Sequence, residues 1–104
     1  MYMNFFTLFI RLKISAMTIY IGNIPYSMKE TDIEKLFAEH GMVMSVKIIT
    51  DKFTQRSKGY GFVEMEDETE GDKAINILNG SDVLGRNLKV SRANPRKNAQ
   101  NNRV

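Results

Sequence analysis

The chain has 104 residues, 42% of them hydrophobic and 26% charged, with a formal net charge of +3. That suits one globular domain whose core is small but workable without staples. There is no cysteine, which excludes disulfides and thiolate metal sites and points to a reducing, cytoplasmic setting.

Residues 1–16 stand outside the domain pattern. Phe5, Phe6, Leu8, Phe9 and Ile10 make an apolar run followed by Arg11 and Lys13. A secretory signal carries its positive charges before the apolar stretch, and this run is far shorter than the roughly 20 residues that cross a bilayer. A surface anchor and a partner-binding segment are alternatives; upstream sequence translated from a misassigned start, with the domain opening near Met17, is the favoured one. The first strand, Thr18 to Asn23, sends Ile19 and Ile21 to one face and Tyr20 to the other. Pro25 stops it.

A helix follows from Glu30 to His40, with Ile33, Leu36 and Phe37 as its buried stripe. Thr31 to Glu34 has the form of a capping box, and Gly41 supplies a left-handed stop. The next strand, Val43 to Thr50, buries Val46 and Ile48 and exposes Ser45, Lys47 and Ile49, or else buries Ile49 by a change of register. A polar loop from Asp51 to Ser57 carries Lys52 and Arg56. The third strand contains Lys58-Gly59-Tyr60-Gly61-Phe62-Val63-Glu64-Met65. A second helix, Asp67 to Leu78, turns Ala74, Ile75 and Leu78 inward, with Gly71 weakening it by about 1 kcal/mol relative to Ala. Asn79-Gly80 ends it. A short extended piece turns at Gly85, and the last strand, Arg86 to Arg92, buries Leu88 and Val90. Residues 96–104 form a polar, Asn-rich tail of disordered composition.

The order strand, helix, strand, strand, helix, strand is the α+β, ferredoxin-like split βαβ arrangement. Its four-stranded antiparallel sheet has both helices on one face and leaves the other free. Alternation in the third strand puts Lys58, Tyr60, Phe62 and Glu64 on one side. Rings beside a Lys and a Glu belong to a wet face, and two rings on a wet sheet next to a cation make a platform for unstacked bases. Tyr20 joins them if the first and third strands are neighbours.

Charge adds a second indication. Residues 64–72 hold Glu64, Glu66, Asp67, Glu68, Glu70 and Asp72 and no base. Residues 85–104 hold Arg86, Lys89, Arg92, Arg96, Lys97 and Arg103 and no acid. A phosphate footprint is therefore expected along the last strand and tail, away from the second helix.

The octapeptide matches K/R-G-F/Y-G/A-F-V-x-F/Y at seven of eight positions, Met65 replacing the final aromatic. With Ile19-Tyr20-Ile21-Gly22-Asn23-Ile24 it resembles the two signature segments of the RNA recognition motif family, over residues 17–95. The resemblance implies single-stranded RNA lying across the sheet, Tyr20 and Phe62 stacking successive bases and Tyr60 packing against sugars. Lys58 would meet a phosphate, with Lys47, Arg56 and Lys89 as further cationic candidates. Arg92 and Asn94 would lie where the chain leaves the platform edge and reads bases. Asn23 matches a family position that is more often structural.

Little here suggests catalysis. His40 is the only histidine and has the bland position of a helix end, and no spacing suits a metal. Gly59-Tyr60-Gly61 fails as a dinucleotide loop, since Glu64 stands where glycine is needed and a strand follows. The expectation is a monomeric post-transcriptional RNA-binding protein with no cofactor, single-stranded DNA being a further ligand. A protein-interaction module of the same fold is the alternative, and an acylphosphatase-like hydrolase would need an anion loop that Ile24 to Met28 does not offer.

Overall fold

In a computed structural model the described residues are 16–93. Asn94, the apolar segment up to Ser15 and the tail at 96–104 lie outside them. The elements are β1 (Met17–Gly22), α1 (Glu30–Ala38), β2 (Val43–Thr50), β3 (Ser57–Met65), α2 (Glu68–Leu78), β4 (Asp82–Val83), β5 (Arg86–Asn87) and β6 (Lys89–Ala93). Four strands form one antiparallel sheet in the order β2-β3-β1-β6, and β4 and β5 make a separate hairpin. This is the split βαβ arrangement expected from the sequence.

Period-two alternation builds the core. Ile19, Ile21, Val63, Met65 and Val90 leave one face of the sheet and meet Ile33, Phe37, Ala74 and Leu78 from the helices. Met65, the one departure from the octapeptide pattern, is fully buried between Met17 and Val43 in register. A flexible thioether fills that space in place of a ring. Gly71 sits where a Cβ would collide with the sulfur of Met17, so the residue that weakens α2 lets helix and strand approach closely.

Several boundaries differ from the sequence reading. The first helix caps at Lys29, whose N–H donates to Asp32 at 2.9 Å, two residues before the Thr31 expected to start the capping box. Gly41 is not left-handed; a Cβ there would collide with Glu70, which packs against it and accepts the Met42 N–H. Val46, on an edge strand, is only half-buried, and so is Ile49, next to a register shift between Ile48 and Thr50. The expected last strand is two. Leu88 interrupts it because its N–H donates to Ser81 and its carbonyl accepts from Gly80, while its side chain is buried. Leu84 and Gly85, both at positive φ, close the β4–β5 hairpin in two residues.

Candidate nucleic-acid interface

Both helices pack on one face, and the other carries the rings. The register sets out its rows. Lys47, Phe62, Tyr20 and Ser91 lie side by side across β2, β3, β1 and β6, and Ser45, Glu64, Thr18 and Ala93 form the next row. Tyr20 and Phe62 have centroids 5.9 Å apart, Tyr20 and Tyr60 6.1 Å, and Tyr60 and Phe62 6.4 Å. All three are half-buried, so their flat faces are partly supported and partly wet. Two of the pairs are edge-on, at 65° and 87°, which keeps the rings from stacking on one another and leaves faces for a flat ligand.

Two glycines shape this surface. The Tyr20 ring lies over Gly22, where an added Cβ would come within 2.6 Å of the phenol oxygen. Gly59, at φ 84°, makes a bulge in β3: Thr50 pairs with Ser57 and Ile48 with Gly61, so four steps on β3 oppose two on β2. The tight space at Gly59 and Gly61 is internal, since the first faces the Tyr26 ring and the second the β2 backbone at Lys47 and Ile48. Burial alternates along β3 from Met65 back to Lys58, although the pairing with β2 shifts between Gly61 and Ser57.

The cations divide into groups. Lys47 is exposed beside Phe62, and Lys89 is exposed opposite Gly22 at the other edge. Lys58 is exposed beyond the bulge, within electrostatic reach of Asp51. The Thr54 and Phe53 amides hold the Asp51 carboxyl below its usual range, and Lys58 adds a smaller push the same way. Arg56 is in the β2–β3 loop, where it lines a depression with Tyr26, Ser27, Gln55 and Ser57 rather than the sheet face.

Arg92 is a correction. It has the parity of the buried Val90, and its guanidinium binds Glu68 at 3.0 Å and Asp72 at 3.0 Å on α2. The acid-rich and base-rich stretches that look separate in sequence are thus joined in space, and Arg92 is not at the platform edge. Asn23 is structural, as its family position suggested. It takes a left-handed conformation at φ 58°, donates to the Asn87 carbonyl at 2.9 Å and accepts from Arg86 at 2.6 Å.

Residues with no assigned role in the sequence reading also stand here. Tyr26 is 65% exposed with the Arg86 guanidinium 5.2 Å from its ring centre. Its loop position gave no periodicity to place it, and a cation 60 positions along the chain is invisible to local patterns. Thr18, Ser45 and Glu64, with Lys47, Phe62, Val63 and Ala93, line a depression of about 370 Å³ beside Phe62.

Comparison with known proteins agrees with this geometry. The family profile of the RNA recognition motif matches residues 19–89. The chain belongs to that family. It is 46% identical over 82 residues to the putative RNA-binding protein RbpA of Synechocystis, covering 79% of this chain and 81% of that one. Among solved structures it is similar to the RNA-binding protein PG1, with TM-score 0.73, 45% identity, and 74% and 93% of the two chains covered. It is also similar to the Sex-lethal protein solved as a complex with RNA, with TM-score 0.71, 28% identity, and 74% and 47% covered. No helix among the described residues is long and apolar enough to cross a membrane.

Proposed function

We propose that this RNA recognition motif protein binds single-stranded RNA across its helix-free sheet face, as a monomeric binder that does no chemistry on it. The observation that carries the reading is the set of three half-buried rings within 6.4 Å of one another, flanked by Lys47 and Lys89. Bases stacked on Tyr20 and Phe62 would each contribute roughly 1–3 kcal/mol as judged by alanine substitution. Tyr60, between bulge and platform, packs against the sugars that link them. Lys47 and Lys89 meet phosphates at opposite edges, and Lys58 and Arg56 extend the path beyond the bulge. Asn94 follows Ala93 in sequence at the end of β6 and is the remaining candidate for reading a base edge.

The similarity to proteins named as RNA-binding, and to one solved with RNA, supports the same reading. A fluorescence titration with a random single-stranded RNA pool, and with the matching DNA pool, tests it. Phe62→Ala should weaken binding by about tenfold or more while the folded signal persists. Equal affinities of the wild type and a folded Phe62→Ala protein would overturn the stacking assignment.

A further inference from the structure

Glu64 is an anomaly on a surface meant for a polyanion. It projects from β3 on the ring face, half-exposed, one alternation beyond Phe62 and so roughly 7 Å along the strand. A carboxylate there repels phosphate. Its cross-strand neighbours are hydroxyl residues on both sides, Thr18 on β1 and Ser45 on β2. Ser45 Oγ donates to Glu64 Oε1 at 3.2 Å, which ties one carboxylate oxygen toward β2. Lys47, opposite Phe62 in the adjacent row, is the one cation among the residues lining the depression.

Resting on the RNA-binding reading, we propose that Glu64, oriented by Ser45, makes the depression beside Phe62 a subsite that selects guanine. A base stacked on Phe62 presents its edge toward this row, where an ionised carboxylate can only accept. Guanine places N1–H and the N2 amino group side by side and can donate to both carboxylate oxygens in parallel, the strong bidentate geometry. Adenine and cytosine set a ring-nitrogen acceptor beside their amino group, which opposes the second oxygen. Uracil has one N–H flanked by two carbonyls. Discrimination thus comes as much from repelling the wrong edge as from binding the right one.

The test uses the full chain and four labelled octamers, U8 and alternating (UG)4, (UA)4 and (UC)4, so that the subsite meets its base in any register. Wild type should bind (UG)4 about tenfold or more tighter than U8, the discrimination expected of a bidentate base contact. Glu64→Gln, of the same size and half-exposed, should tighten U8 and loosen (UG)4, moving the two in opposite directions. A Ser45→Ala protein should show a reduced preference at unchanged melting temperature. Equal wild-type binding to all four octamers would overturn the subsite and leave RNA binding standing, as would a guanine preference that survives Glu64→Gln. No binding to any octamer would overturn both.

Discussion

At the scale of single residues, parity decides what a charged side chain does. Lys89 and Arg92 are three positions apart on one strand, yet one lies exposed on the ring face and the other binds two acids of α2. Arg92→Ala should therefore cost some stability and change RNA affinity little, whereas Lys89→Ala should weaken binding and lower the salt slope by about 0.7. Thermal melts and titrations at several salt concentrations check both, and the reverse outcome would return Arg92 to the binding surface. Asp51 gives a pH test. Its carboxyl is held low by the Thr54 and Phe53 amides, so its contribution is complete above the ordinary value of 3.8 and is lost as pH falls through the lower native value. Acid titration followed by the Phe53 and Thr54 amide resonances should have a midpoint below 3.8; a midpoint at or above it would contradict the loop geometry.

At the scale of elements, the glycines carry the predictions. Gly22 leaves room for Tyr20 to lie along β1, and the atom in the way of a methyl group is the far end of that ring. Gly22→Ala should keep the sheet, turn Tyr20 aside and weaken RNA binding, measurable by titration alongside a circular dichroism spectrum. Unchanged affinity would mean that the observed Tyr20 pose is not needed for binding. What the sequence revealed here followed from periodicity: Ile19 and Ile21 against Tyr20, Val63 and Met65 against Phe62, and Ile33 and Phe37 on one helix stripe. What stayed hidden depended on contacts between distant segments. The split at Leu88 comes from bonds to Gly80 and Ser81, and the need for glycine at Gly41 from the close approach of Glu70. The bulge at Gly59 was hidden for another reason, since a residue's φ is not written in an alternation pattern. The shared face of the rings was legible because signature and parity agreed, and parity alone would have turned Arg92 away from them; its partners were not legible, because they lie 20 and 24 residues away.

At the scale of the whole molecule, the sheet separates two kinds of aromatic. Phe37 is fully buried beneath it and Phe62 is half-exposed above it. Truncating the first leaves a void that closely packed surroundings fill only in part. Phe37→Ala should cost about 3–5 kcal/mol, a large fraction of a small domain's stability, while Phe62→Ala should leave most of it intact. Urea denaturation of the two variants compares them directly, and similar midpoints would contradict the assignment of faces.

The clamp of Arg92 on Glu68 and Asp72 has an effect beyond joining a strand to a helix. With that guanidinium paired to two carboxylates, Arg92 is a weaker target for an approaching polyanion than the exposed Lys47 and Lys89 on the ring face. On the proposed reading, a strand of nucleotides drifting in from solution is steered toward the ring face at long range. Asp72→Lys should then slow capture at low ionic strength, although Asp72 lies on α2, across the sheet from the rings.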